Sequence, residues 1–131
     1  MTTRILVCDD ETSLREMLAV LLRRAGHQVD AVAGVKAAVA TLAKEQPYDA
    51  VITDLLMPDG SGMDVLEAAR ARDESTQVIM ITAYATTEQA VQAMRLGAYD
   101  YVQKPFKNEE LRATLDKALE NALDATVTRT L

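Results

Sequence analysis

Short unbroken apolar runs alternate along the chain with longer stretches of helical period. Ile5-Leu6-Val7-Cys8 and Val78-Ile79-Met80-Ile81 contain no polar residue, and Ala50-Val51-Ile52-Thr53 nearly matches them. Runs of this length and continuity predict strands buried on both faces, as in a parallel sheet covered by helices. Val29-Asp30-Ala31-Val32 carries a charge within it, which places that strand at an edge, and Tyr101-Val102 is a fifth, weaker strand.

Helical patterns fill the intervals. Leu14, Met17, Leu18, Leu21 and Leu22 recur at helical spacing before a stop at Ala25-Gly26. Val35, Val39 and Leu42 mark a second helix, ended by Gln46-Pro47. Val65, Leu66 and Ala69 mark a third, opened by Ser61 with Asp64 three residues on. Val91, Met94 and Ala98 mark a fourth, which Thr86 and Gln89 open as a capping box and Gly97 closes. The fifth begins at Asn108, with Glu109 and Glu110 in the first turn where the helix dipole favours acids. Strand followed by helix about five times predicts an α/β fold with flavodoxin-like (βα)5 topology. It is a three-layer sandwich around a five-stranded parallel sheet in order 2-1-3-4-5.

Composition narrows the class. The 131 residues fit one domain, and 49% hydrophobic with 26% charged residues suffices for a core. Five Gly and three Pro exclude collagenous or low-complexity classes, and the lone Cys8 excludes a disulfide-stapled secreted scaffold. A net charge of −6 argues against direct nucleic-acid binding by this domain. No apolar run approaches the roughly 20 residues of a membrane span, and the run after Met1-Thr2-Thr3-Arg4 is too short for a signal peptide. The expected address is cytoplasmic, without membrane association.

The candidate chemistry lies at the strand ends: Asp9-Asp10-Glu11 after the first, Asp54 after the third, Thr82 after the fourth and Lys104 after the fifth. In this topology ligands bind at the carboxyl ends of the strands, where strand order reverses. Asp9, Asp10 and Asp54 therefore converge, with Thr82 and Lys104 beside them. Converging carboxylates repel unless one is protonated or a cation intervenes. A hard divalent ion, Mg²⁺ (or Mn²⁺), takes oxygen ligands and typically pairs carboxylates with a phosphate. Lys104 and the Thr82 hydroxyl suit phosphoryl oxygens, and a carboxylate is a competent covalent nucleophile. The set reads as a Mg²⁺-dependent phosphoryl site.

These residues carry a resemblance. Asp9-Asp10-Glu11, Asp54-Leu55-Leu56-Met57-Pro58 with Gly62, Ile81-Thr82-Ala83 and Lys104-Pro105-Phe106 resemble, in order, the motifs of two-component response regulator receiver domains of the CheY-like kind. Ala93-Met94-Arg95-Leu96-Gly97-Ala98-Tyr99-Asp100-Tyr101 is most similar to receivers of NtrC-type transcription activators. The resemblance implies that Asp54 accepts a phosphoryl group from a histidine kinase. It implies Asp10, Asp54 and the Leu56 backbone carbonyl as metal ligands, with Asp9 acting mainly through metal-bound water. Thr82 and Lys104 would hold phosphoryl oxygens, and the Lys104-Pro105 bond is expected to be cis. Tyr101 would turn inward as Thr82 moves, while Leu56 and Tyr84 would tune the phosphoryl lifetime. The partner-facing surface would be the fourth helix, fifth strand and fifth helix, read by an output domain or target protein, or by a phosphorylation-dependent second copy. Control of transcription is the expected output.

Blander readings exist for each residue alone. Asp10 is a good helix N-cap, Asp54 a turn former, Thr82 a strand end, Lys104 a solvated charge and Tyr101 a half-buried aromatic. Cys8, Met57 and Met94 read as packing, His27 as a loop residue and Ser61 as a cap. Among rival functions, a haloacid-dehalogenase-type phosphatase needs an acid two residues after its nucleophile, where Leu56 stands. A flavin module would need a Ser/Thr/Gly phosphate loop in place of Asp9-Asp10-Glu11, and a docking-only receiver would not need every site residue. The chain is thus expected to be a signalling module rather than a turnover enzyme. The receiver domain is assigned to residues 1–123. Leu111, Leu115, Leu119, Leu123, Val127 and Leu131 recur every fourth residue, a stripe that drifts about 40° per step. With Thr126, Thr128 and Thr130 weakening the helix, 124–131 reads as a linker start or disordered tail.

Overall fold

The computed structural model describes residues 2–44, 46–83 and 86–130, the side chains of 123–130 excepted. Five strands, β1 (Arg4–Cys8), β2 (Gln28–Val32), β3 (Ala50–Asp54), β6 (Gln77–Thr82) and β7 (Asp100–Gln103), form one sheet. Between β3 and β6 lies a hairpin of two-residue strands, β4 (Leu56–Met57) and β5 (Gly60–Ser61). The helices are α1 (Thr12–Arg24), α2 (Val35–Lys44), α3 (Gly62–Arg72), α4 (Thr87–Arg95) and α5 (Asn108–Thr130). The sheet order is β2-β1-β3-β6-β7 with every pair parallel. This is the expected order 2-1-3-4-5, with the charged strand at one edge.

Alternation along the buried strands divides the core in two. Leu6, Cys8, Val51, Val78 and Met80 point to one face and pack under α2 and α3, through Ala38, Leu42, Val65 and Leu66. Ile5, Val7, Ile52, Ile79 and Ile81 point to the other and meet Leu18 and Leu22 of α1 and Leu111 and Leu115 of α5. Because both faces are covered, the strands read as continuous apolar runs.

The sequence punctuation is realised locally. Gly26 and Gly97 take positive φ (99° and 104°) where α1 and α4 stop. The Ser61 side chain accepts from Met63 N to cap α3, and Thr86 with Gln89 forms the full capping box of α4. In α5 the buried positions are Leu111, Leu115 and Ala118, with Leu119 only partly buried. The packed stripe follows the 3.6-residue period rather than a leucine at every fourth place. The helical backbone continues to Thr130, through the stretch where the three threonines were expected to weaken it. A threonine costs only about 0.7 kcal/mol in a helix that is already nucleated, too little to stop it. Tyr84 and Leu131 lie outside the described residues, as do the side chains of Leu123 and Val127.

Candidate functional site

The sheet delivers its polar residues to one edge by register. Cys8 pairs with Thr53, and Asp54 with Ile81, so Asp9, Asp54 and Thr82 lie side by side at the carboxyl ends of three adjacent strands. Lys104, just past β7, donates its backbone N–H to Thr82 O at 2.9 Å. Asp9, Asp10 and Asp54 each present a carboxylate oxygen within 4.8 Å of the others. Lys104 Nζ bridges two of them, 3.1 Å from Asp9 Oδ2 and 2.9 Å from Asp54 Oδ2.

Each carboxylate is held differently. Asp9 is fully buried and accepts from Glu11 N at 2.8 Å as well as from Lys104. Asp54 is also buried, and its Oδ1 accepts from Leu56 N at 3.3 Å. That contact is the turn-forming geometry open to any Asp, so Asp54 serves the turn with one oxygen and faces Lys104 with the other. Asp10 is exposed. Its reading as a helix cap does not hold, because the cap position of α1 is Glu11 and carries no side-chain cap hydrogen bond.

Burial raises the Asp9 carboxyl above its ordinary range, against the Glu11 N–H and Lys104, which pull it down. Burial alone would lower Lys104, but its hydrogen bonds to Asp54 and Asp9 hold it above the ordinary lysine value. The folded state thus favours protonated Asp9 more than the unfolded chain does. The stability contributed by this group is present at acid pH and lost as pH climbs from the ordinary carboxylate range, about 3.9, through the raised value. In urea unfolding without divalent cations, wild type is therefore expected to lose stability relative to Asp9→Asn as pH rises above the ordinary carboxylate range, about 4. A pH-independent difference would show that Asp9 is not the strained group.

The donor set consists of oxygens only, clustered on the face of the sheet edge, which fits a hard cation rather than Zn²⁺ or copper. The remaining site residues fall around it. Leu56, 48% exposed, pairs with Ser61 in the hairpin, and Thr82 is buried at the end of β6. The Lys104-Pro105 bond is cis, as expected. Tyr101 stands 42% exposed and lines, with Val91, Met94 and Gln103, a groove of about 650 Å³ between α4 and β7. Cys8 packs as a core residue, its Sγ 3.4 Å from Met57 Sδ, and burial pushes its thiol up to about 11.

Two features escaped the sequence reading. Gly62, quoted above only as part of a motif, is buried with no room for a side chain: a Cβ there would fall well inside van der Waals contact of Asp54 O and 3.1 Å from Leu55 Cα. Asp59 accepts from Val35 N at 2.9 Å and Lys36 N at 3.0 Å, capping a helix that begins 24 residues earlier. The glycine is visible in the motif, whereas no local signal marks the aspartate.

Comparison with known proteins gives one family. The response regulator receiver domain matches residues 5–116. Response regulator protein PilR of Pseudomonas aeruginosa is 39% identical over 116 residues, 88% of this chain and 26% of that protein. A CheY-like receiver domain protein from Methanospirillum hungatei JF-1 superposes with TM-score 0.91 at 26% identity, covering 95% of this chain and 99% of that one. The beryllofluoride-activated NtrC4 receiver domain dimer superposes with TM-score 0.83 at 29% identity, covering 91% and 98%. The chain spans 24–26% of the length of the curated relatives it first matches.

Proposed function

Because this chain belongs to the response regulator receiver domain family, whose NtrC-type regulators are among its relatives, we propose that it is a phosphorylation-switched signalling module with Asp54 as phosphoacceptor. Receiver domains are signalling modules rather than turnover enzymes, and they bind Mg²⁺ at an acidic pocket. They interact with histidine kinases and output domains and can dimerise when activated. The single observation that carries the reading here is the bridge from Lys104 Nζ to both Asp9 and Asp54 beside Asp10. Three carboxylates call for a divalent cation, and the one ammonium beside them can meet the oxygens of a phosphoryl group.

Asp10, Asp54 and the Leu56 carbonyl would hold the metal, with Asp9 acting through water. A divalent cation held there would supply the positive charge that screens these carboxylates from an incoming phosphoryl group and offsets the charge on its oxygens. In the transfer, an Asp54 carboxylate oxygen attacks phosphorus. The P–O bond forms as the P–N bond to the kinase's histidine breaks, and the bonding pair leaves on the imidazole nitrogen. Lys104 moves its ammonium from the carboxylates to a phosphoryl oxygen, and the Thr82 hydroxyl donates to another. Motion of Thr82 draws Tyr101 into the space beside α4 and changes the surface of α4, β7 and α5 that an output domain, a target protein or a second copy reads. Transcription regulation in the cytoplasm is the output we assign, with residues 1–123 as the receiver domain. Among the described residues no helix is long and apolar enough to cross a membrane.

The test is intact mass after incubation with acetyl phosphate, with and without Mg²⁺. The expected result is one added phosphoryl group only when Mg²⁺ is present. A chain that gains none, and forms no beryllofluoride complex, is not a phosphoacceptor.

A further inference from the structure

We propose that Asp59 is a positioning residue for the acidic pocket: it clamps the hairpin just after Asp54 to the first turn of α2 and thereby sets the pocket's affinity for Mg²⁺. The inference rests on the metal reading above and deepens it. A hairpin of two residues per strand has little stability of its own, so its position comes from what anchors it. At one end stand Asp54 and Leu55, at the other Gly62, whose N–H donates to Leu55 O at 2.8 Å. Met57 anchors it from beneath against Cys8. The tip is held by the Asp59 side chain, each carboxylate oxygen taking one N–H group of the first turn of α2.

The fit at the tip is close. A Cβ on Gly34 would lie 2.9 Å from Asp59 Oδ1, and one on Gly60 would lie 3.4 Å from Val35 Cγ2, so turn and helix start are in direct contact. The two amide hydrogen bonds from Lys36 and Val35 hold the Asp59 carboxyl below its ordinary range, and a charged carboxylate suits a helix N-terminus. The hairpin carries Leu56, whose N–H fixes Asp54 Oδ1 and whose carbonyl belongs to the proposed ligand set. Release of the tip therefore loosens two ligands at once. Asp59 lies on the surface, outside both core clusters, so its replacement takes no packed side chain from the core.

The experiment is Mg²⁺ calorimetry on wild type, Asp59→Ala, Asp59→Asn and Asp73→Ala, with amide exchange at Val35 and Lys36 measured in parallel. Asp73 closes a turn after α3 through Ser75 N at 2.8 Å and serves as a control for lost stability remote from the pocket. Asp59→Ala is expected to bind Mg²⁺ about tenfold more weakly, the low end for groups that orient metal ligands. Asp59→Asn, which keeps one acceptor oxygen, falls between it and wild type. Acetyl phosphate labelling of Asp59→Ala slows at limiting Mg²⁺ and recovers at saturating Mg²⁺, while Asp73→Ala keeps the wild-type Mg²⁺ affinity. If the Val35 and Lys36 amides exchange faster in Asp59→Ala but Mg²⁺ binds as in wild type, Asp59 is a helix cap only and the proposal falls. If wild type itself binds no Mg²⁺, the metal reading of the pocket falls first. Should Asp59→Ala fail to fold, Asp59→Asn decides by the same comparison.

Discussion

Lys104→Met is expected to slow labelling by acetyl phosphate by about a hundredfold or more, the usual loss when one preorganised donor to developing oxyanion charge is removed. The ammonium is within 3.1 Å of two carboxylates, and 17% of its side chain is exposed. Asp9 and Asp54 therefore already hold it beside the proposed phosphoacceptor, and little reorganisation would be needed to meet a phosphoryl group. Methionine keeps the length and loses the charge. The variant also leaves fully buried Asp9 without its cation, so its metal-free form should be destabilised and Mg²⁺ should stabilise it more than wild type. Rates of mass gain at saturating Mg²⁺, with urea midpoints at low and high Mg²⁺, measure both effects. Labelling at the wild-type rate would mean that Lys104 is a structural counter-ion and takes no part in transfer.

Gly62→Ala should act on the fold. The added methyl would overlap the Asp54 carbonyl oxygen and press on the backbone of Asp54 and Leu55, neither of which can rotate away as a side chain can. Forcing one carbon into packed backbone costs about 3 kcal/mol at the upper end of overpacking effects. The relief available is a shift of the hairpin, which moves Asp54 itself. The urea midpoint should fall accordingly, and the folded fraction that survives should label slowly. A variant with the wild-type midpoint would show that the α3 start has room to move.

Much of this was legible in the chain. Continuous apolar runs predicted doubly covered strands because a parallel sheet leaves neither face wet, and Asp30 marked an edge because only an edge strand can turn a charge outward. The caps at Ser61 and Thr86 are local chemistry, hence readable locally. The convergence of the candidate residues was readable because strand ends meet in this topology: Asp9, Asp54 and Thr82 are separated by dozens of residues yet lie at the ends of adjacent strands. What was not legible depends on contacts between distant segments. The start of α2 bears no capping side chain of its own, since its donors are met by Asp59 from across the fold. The β4–β5 hairpin is too short to leave a pattern. In α5 the drift of an every-fourth stripe was visible, but that Ala118 takes the buried place between Leu115 and Leu119 is decided only by packing against the sheet.

The central claim is that the Asp54 carboxylate receives the phosphoryl group. Reduction of the phosphorylated protein with borohydride converts an acyl phosphate to an alcohol at the residue that carried it, and peptide mass mapping then names that residue. The account predicts the reduced product at position 54 alone, formed only after phosphorylation with Mg²⁺ and absent from Asp54→Ala. A reduced product at Asp9 or Asp10, or a phosphoryl group that survives on Asp54→Ala at the wild-type level, would contradict it.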